Sequence, residues 1–132
     1  MLTNSTVRPT IPVANLDRAK SFYQSKLGLK PLAISGFNTT SSILLDCGNG
    51  TSIELYQRGP TKADHTVATF DVSDIEIEVR NLKQNGVVFE EYDMPGIKTQ
   101  NGIATQGAIK CAWFKDSEGN ILCIHQTAVR NA

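Results

Sequence analysis

The sequence predicts an α+β fold in which one βαβββ module occurs twice within a single domain, residues 1–132. Two observations carry this prediction. Two amphipathic helices of similar length each follow a short alternating segment that is typical of a strand. The segment at 50–57 also matches the segment at 119–126, in the same order along the chain, which indicates an internal duplication.

Module one is placed at about residues 7–58. Asn15 can cap its helix, and Gly28 can close that helix in the left-handed conformation. The strands follow from alternation of apolar and polar residues. The predicted elements are a strand at 7–13, a helix at 16–27 and strands near 29–34, 41–47 and 51–57.

Module two is placed at about residues 65–127. Ser73-Asp74-Ile75-Glu76 has the form of a capping box that starts the second helix, and Asn85-Gly86 ends it. The predicted elements are a strand at 66–72, a helix at 74–85 and strands near 87–92, 108–115 and 120–126.

The offset between the two copies grows along the chain. Val13 matches Val72 at an offset of 72 − 13 = 59, whereas the segment at 50–57 matches 119–126 at 119 − 50 = 69. The second module therefore contains extra residues, which we assign to a loop at 93–107 that is rich in Gly, Thr, Gln and Asn. Loops of that length are usually lids, binding segments or disordered.

Alternation along the strands separates two faces of each sheet. Because the helices pack on one side only, the apolar set should face them, and the other set should form what we call the open face. The apolar set is Ile11, Val13, Ile53, Leu55, Phe70, Val72, Leu122 and Ile124. The open-face set is Arg8, Thr10, Ser52, Glu54, Tyr56, His65, Val67, Thr69, Cys123 and His125, and its polarity indicates function.

Composition argues against several classes of protein. A formal net charge of zero gives no general attraction for nucleic acid or anionic lipid. The longest apolar runs are only strand-sized and the first residues lack a charged start or hydrophobic stretch, so neither a membrane span nor a secretory signal is expected. The expected location is the cytoplasm, where three cysteines without CxxC spacing should be reduced and mostly buried.

Three stretches carry a family resemblance. They are IPVANLDRAKSFYQSKLGL at 11–29, ATFDVSDI at 68–75 continuing to Asn85-Gly86-Val87, and WFKDSEGNI at 113–121. Together they resemble the vicinal oxygen chelate superfamily, which includes glyoxalases, bleomycin resistance proteins and dioxygenases. The resemblance implies two βαβββ modules whose curved mixed sheets surround a cleft, with the helices on the outer faces, commonly in a homodimer.

The resemblance also implies positions for a divalent metal, one on the first and one on the last strand of each module. Here those positions are Arg8 and Glu54 in module one and Val67 and Cys123 in module two. Arginine is permanently protonated and valine has no donor atom, so no metal cofactor is predicted. A weaker alternative is an atypical site for Zn, Ni, Fe or Mn built from Glu54, His65 and Cys123, with His125 as a further ligand.

Other residues point to a small organic ligand. Arg8 and Glu54 can form an ion pair or receive polar groups of a ligand. The predicted ligand-binding residues are Arg8, Thr10, Glu54, Tyr56, His65, Thr69, Trp113, Cys123 and His125, with Phe37, Phe89 and Tyr92 as further aromatic candidates. No nucleophile elbow, phosphate-binding glycine loop or HExxH motif is present.

Three hypotheses remain open. The first is a homodimeric protein that binds a small molecule without the usual metal. The second is an enzyme with lyase, isomerase or dioxygenase chemistry that uses an atypical metal or Glu54 as a base. The third is a non-catalytic interaction domain whose cleft is filled by its own side chains.

Overall fold

In each half of the chain a strand leads into a helix and then into further strands, as the computed structural model shows for residues 1–33, 41–62 and 64–126. The chain divides into two units, Met1–Lys62 and Ala63–Ala132. Each unit has one helix and one mixed sheet, so the predicted α+β fold with two βαβββ modules is confirmed.

The first unit contains a four-stranded sheet with strand order β1-β4-β3-β2. Strand β1 runs parallel to β4, and the other neighbours are antiparallel. Its elements are β1 (Thr10–Val13), α1 (Leu16–Ser25), β2 (Lys30–Pro31), β3 (Ser42–Gly48) and β4 (Thr51–Gln57).

The second unit contains a six-stranded sheet with strand order β5-β10-β9-β8-β7-β6, in which β5 runs parallel to β10. Its elements are β5 (Thr66–Asp71), α2 (Ile75–Gln84), β6 (Asp93–Met94), β7 (Ile97–Gln100), β8 (Ile103–Gln106), β9 (Ile109–Lys115) and β10 (Ile121–Gln126). Among the described residues, neither helix has the length and hydrophobicity that a membrane span requires.

The two helices begin in the same way. Asn15 and Asp74 are the N-cap residues, and each side chain accepts a hydrogen bond from the backbone three residues later. The predicted start of the second helix was therefore one residue early, because Asp74 rather than Ser73 provides the cap. Gly28 has φ +76°, which confirms that the chain turns in the left-handed conformation after α1.

A glutamine at the end of each last strand reaches the start of the helix in the same unit. Gln57 Oε1 accepts a hydrogen bond from the Leu16 backbone N–H at 2.9 Å, and Gln126 Oε1 accepts one from Ile75 at 2.7 Å. We call these contacts the glutamine latches. They satisfy a helix N–H that has no partner within the helix, so each latch fixes the last strand against its helix.

The apolar set lies in the core as predicted. Ile11, Leu55 and Leu122 have no exposed surface, and Val13, Ile53 and Ile124 are at most 3% exposed. Phe70 and Val72 are half-buried. The two helices contribute buried residues to the same side of their sheets, including Ala19, Tyr23, Ile75 and Val79.

The segment after α2 differs from the prediction. In place of a strand at 87–92 there is a single bridge between Phe89 and Phe114 and one hydrogen bond from Glu90 N–H to the Trp113 carbonyl. The predicted loop at 93–107 instead forms β6, β7 and β8, which extend the sheet. Strand β9 pairs with β8 along its first half, which leaves only its second half for residues 89 and 90.

Candidate functional site

Glu54 occupies the middle of β4 on the open face of the first sheet. Its neighbours Ile53 and Leu55 are buried on the helix side, so alternation turns the carboxylate the other way. Thr10 of β1 and Leu44 of β3 lie opposite Glu54 in the register. Thr10 is exposed, whereas Leu44 is only 3% exposed and gives the carboxylate an apolar neighbour that sequence reasoning missed.

Arg8 and Glu54 form an ion pair within the first unit. Arg8 Nε and Nη2 both lie 3.4 Å from Glu54 Oε1, which is longer than an optimal charge-assisted hydrogen bond. The arginine side chain is 42% exposed and the glutamate 19%. A pair of this kind contributes about 0.2–1 kcal/mol to stability, so both groups remain available to a ligand at small cost.

Tyr56 extends this polar surface. The residue follows Glu54 by two positions on β4 and therefore shares its face. It is half-buried, and its hydroxyl lies 3.5 Å from Arg58 Nη1. The first unit thus presents an arginine, a carboxylate and a phenol on one face of its sheet.

The open face of the second sheet carries two rows of side chains across three strands. Thr69, Cys123 and Trp113 are in register in the first row. Asp71, His125 and Cys111 form the second row by the same pairing. Asp71 and Cys111 were missed from the sequence, although each lies two residues from a predicted site residue on the same strand.

Cys123 is buried, as expected for the cysteines, although alternation places it on the open face. It is only 5% exposed, and its thiol lies 3.4 Å from the Ile124 carbonyl oxygen. Burial raises the pKa of the Cys123 thiol to about 12, and the neighbouring Cys111 adds to the rise. The thiol is therefore protonated near neutral pH, which makes it a poor metal ligand or nucleophile.

The two histidines have different surroundings. His125 Nδ1 lies 3.4 Å from Asp71 Oδ1 on the open face of the second sheet. His65 directly precedes β5, which begins at Thr66 as predicted, so alternation along the strand does not fix the side on which His65 lies. Its side chain is 74% exposed and its Nδ1 lies 3.1 Å from the carboxylate of Asp64.

The register at the start of β5 is irregular. Thr66 pairs with Ile121 and Ala68 pairs with Leu122, so Val67 is the extra residue of a bulge. An ideal strand without a bulge would place Val67 opposite Ile121, which differs from the observed pairing. Valine in this position still offers no donor atom to a metal.

The aromatic candidates divide between the face and the core. Tyr92 and Trp113 are half-buried and form an edge-to-face pair with ring centroids 5.6 Å apart. Burial raises the pKa of the Tyr92 hydroxyl, with a further contribution from Glu90. Phe89 belongs to the core instead, since it is 8% exposed and packs on Phe114, and Phe37 lies outside the described residues.

The residues at the implied ligand positions do not fit a divalent metal. Arg8 cannot donate a lone pair, Val67 has no donor, and the Cys123 thiol is buried. Among residues 1–33, 41–62 and 64–126, no three or more His, Cys, Asp or Glu side chains are grouped so that they could hold a metal ion. Within the second unit, the side chain of His65 is 74% exposed whereas Cys123 is buried, so these two members of the alternative set have different surroundings.

Comparison with known proteins identifies the family. The model of the Glyoxalase/Bleomycin resistance protein/Dioxygenase superfamily matches residues 5–124. No curated protein matches the chain.

Solved structures of this superfamily have a similar fold. TnmS3, an antibiotic binding protein from Streptomyces sp. CB03234, is 20% identical with a TM-score of 0.68, over 96% of this chain and 98% of that one. A glyoxalase/bleomycin resistance protein from Catenulispora acidiphila is 16% identical with a TM-score of 0.64, over 92% and 97%.

A third similar structure contains a metal. It is a variant of the fosfomycin resistance protein FosX from Listeria monocytogenes with Mn(II) and 1S,2S-dihydroxypropylphosphonic acid. It is 16% identical with a TM-score of 0.64, over 95% of this chain and 90% of that one. At these identities the likeness concerns the fold, and the family follows from the match over residues 5–124: this chain belongs to the glyoxalase/bleomycin resistance protein/dioxygenase superfamily.

Proposed function

We propose that this protein binds a small organic molecule through the open faces of its sheets, without the divalent metal that its superfamily commonly uses. The observation that carries the proposal is the ion pair of Arg8 and Glu54 at two positions where metal ligands are implied. A guanidinium at such a position repels a cation and attracts an anionic or carbonyl group of a ligand.

Each open face has its own chemistry, which suits a carboxylate in the first unit and an aromatic ring in the second. Arg8 is 42% exposed and offers several N–H donors in a planar fork, which suits a carboxylate. Trp113 and Tyr92 offer a half-buried aromatic surface on which a flat ring can pack. Thr10, Tyr56, Thr69 and His125 supply further polar contacts to fix orientation.

The relatives are compatible with this proposal. TnmS3 is described as an antibiotic binding protein, whereas the FosX structure contains Mn(II) with a phosphonic acid. The fold thus occurs both in a protein described as antibiotic binding and in one whose structure contains a metal. Arg8 and Val67 at the implied ligand positions support the proposal that this chain binds its ligand without a metal.

Ligand binding can be followed directly by tryptophan fluorescence, because Trp113 is the one tryptophan of the sequence. Titration with aromatic carboxylates such as salicylate and naphthoate should change the emission of the purified protein. Arg8→Ala should weaken binding about tenfold or more, since a charge-assisted hydrogen bond contributes about 1.5–3 kcal/mol. Lys20→Ala, an exposed cation of α1, is the matched control and should bind normally.

Two outcomes would contradict the proposal. Stoichiometric Zn, Ni, Fe or Mn in the purified protein that disappears in Glu54→Ala would favour the enzyme hypothesis. Silence across a broad library of small aromatic and carboxylated compounds, in both fluorescence and thermal shift, would favour an interaction domain.

We further propose that the protein is a homodimer located in the cytoplasm and that it does not bind nucleic acid. The dimer rests on the family resemblance, and the other two statements rest on the composition and zero net charge of the chain. Analytical ultracentrifugation should give twice the chain mass of 14.4 kDa. A single species at the monomer mass at micromolar concentration would contradict the dimer.

A further inference from the structure

A groove lies on the helix side of the second unit, between α2 and the hairpin formed by β7 and β8. Its volume is about 870 Å³, within the range of about 300–1,000 Å³ that is common for small-molecule sites. Val79 of α2 and Ile103 of β8 supply apolar lining. Ile103 pairs with the fully buried Ala112, which places it on the side of the sheet opposite Trp113 and Cys111.

The wall of the groove is fixed by packing. The hairpin turns at Asn101 and Gly102, which have φ values of +55° and +85°. Gly102 is buried against Phe89, since a Cβ built on it would lie 3.0 Å from the Phe89 Cβ. Lys83 Nζ donates a hydrogen bond to the Asn101 carbonyl at 3.2 Å and so joins α2 to the turn. The groove is therefore formed before any ligand arrives.

Positive charge dominates the lining. Arg80, Lys83 and Lys98 all line the groove and are all exposed. Glu76 is the one acidic residue among the described residues that line the groove. Its carboxylate accepts a hydrogen bond from Lys110 Nζ at 2.5 Å, which lowers the pKa of Glu76 and already pairs its charge. Because the whole chain has a formal net charge of zero, this excess is local.

We propose that this groove binds a small organic anion of more than one negative charge, a molecule with a phosphate group or with two or more carboxylates on a compact carbon frame. Arg80, Lys83 and Lys98 would receive the anionic groups, and Val79 and Ile103 would contact the frame. The site belongs to the hairpin of β7 and β8, which has no counterpart among the described residues of the first module. It lies on the opposite side of the sheet from the open face and does not rest on the function proposed above.

Calorimetry and NMR on the full chain test the proposal with citrate and phenyl phosphate as probes. Citrate or phenyl phosphate should bind, with amide shift changes concentrated in α2 and around Gln100–Ile103. Arg80→Gln/Lys98→Gln should weaken binding about tenfold or more, because it removes two charged donors. The control Lys20→Gln/Lys30→Gln makes the same change in net charge on exposed residues of the first unit and should change the affinity less than about twofold.

Several results would overturn the assignment. These are no binding of either organic probe, shift changes outside the groove, or an equal loss of affinity in both double variants. Inorganic phosphate that binds as tightly as phenyl phosphate would show that the apolar lining has no role. Citrate binding that disappears in Arg8→Ala would assign the anion to the open face of the first unit instead.

Discussion

Among single residues, Asp116 organises the turn between β9 and β10. It is only 6% exposed, and its Oδ1 accepts hydrogen bonds at 2.8 Å from the backbone N–H groups of Glu118 and Asn120. Its Oδ2 accepts another at 2.8 Å from the Asn120 side chain, which is 1% exposed. This network explains the Asp, Gly and Asn of the WFKDSEGNI stretch.

Asp116→Ala should lower the free energy of unfolding by about 2–3 kcal/mol, because several buried donors lose their acceptor. Urea denaturation followed by circular dichroism measures the change. Asp116→Asn keeps an acceptor oxygen of the same shape and should recover part of the loss. Equal destabilisation by both substitutions would show that the charge, rather than the acceptor geometry, stabilises the turn.

The buried thiol of Cys123 predicts a loss of stability at alkaline pH. Its pKa is about 12 in the folded protein against an ordinary value of 9.0, so the folded state binds more protons between these values. Stability is therefore intact below about pH 9 and falls as pH rises towards 12, by up to about 1.4 kcal/mol per pH unit from this group. Urea denaturation between pH 8 and 10.5 should show that the free energy of unfolding declines less steeply with pH in Cys123→Ala than in the unsubstituted protein. Identical slopes would contradict the prediction.

Sequence alternation was informative for some site residues and misleading for others. It placed Glu54 and Thr69 on the side away from the buried core residues, as the register has them. It did not reveal that Cys123 is buried between Leu122 and Ile124, because alternation reports which side a residue faces and not what covers that side. The pairing of His125 with Asp71 required knowledge of which strands are neighbours.

At the scale of elements, the glutamine latches connect the last strand of each unit to its helix. Gln126→Ala should cost about 1–2 kcal/mol, because it leaves the Ile75 N–H without its acceptor at a part-buried position. Gln57→Ala should cost less, since Gln57 is the more exposed of the two. Gln126→Glu retains an acceptor and should restore most of the stability in thermal unfolding. An unchanged stability in Gln126→Ala would show that this latch does not stabilise the fold.

The hairpin of β7 and β8 can be tested with two glycines that share a backbone conformation. Gly102 and Gly96 have φ values of +85° and +86°, so alanine is strained by about 1–2 kcal/mol at both. Only Gly102 has a neighbour, the Phe89 Cβ at 3.0 Å from an added Cβ. Gly102→Ala should therefore lower the free energy of unfolding clearly more than Gly96→Ala in urea denaturation. Equal losses would show that the Phe89 side chain moves to make room for the added Cβ.

The order of elements was largely predictable, but the segment at 93–107 was not predicted correctly. Its length suggested a loop, although Asn101-Gly102 between short alternating runs is a strong hairpin signal. The local sequence does not determine that β8 takes the place of the strand expected at 87–92. Both segments compete for the same edge of β9, and the chain alone does not say which one pairs along most of its length.

For the whole molecule, the proposed absence of a structural metal has a direct consequence. Extended dialysis against EDTA should leave the thermal unfolding midpoint unchanged within about 1 °C, because a metal that binds only the folded state would add stability by mass action. Differential scanning calorimetry before and after dialysis measures this. A fall of several degrees that Zn²⁺ or Mn²⁺ reverses would mean that a cation contributes to the folded state.

The duplication explains why the architecture was predictable from so little sequence identity between the halves. Helix caps, latches and core positions recur because in each unit one helix packs on one sheet, although the residues differ. The groove could not be predicted in this way, since the described residues of the first unit contain no counterpart of the hairpin that forms its wall. A feature present in one copy leaves no internal pattern for comparison.

At one edge of each sheet, the strands β2 and β6 bear on resistance to aggregation. Each has only two residues, β2 contains Pro31, and Pro95 directly follows β6. An edge this short, with proline unable to donate a backbone hydrogen bond, is a poor template for the strand of another molecule. Fibril growth by stacking onto these two edges is therefore disfavoured, and lengthening β6 by replacing Pro95 with a β-branched residue would make the protein more prone to form amyloid.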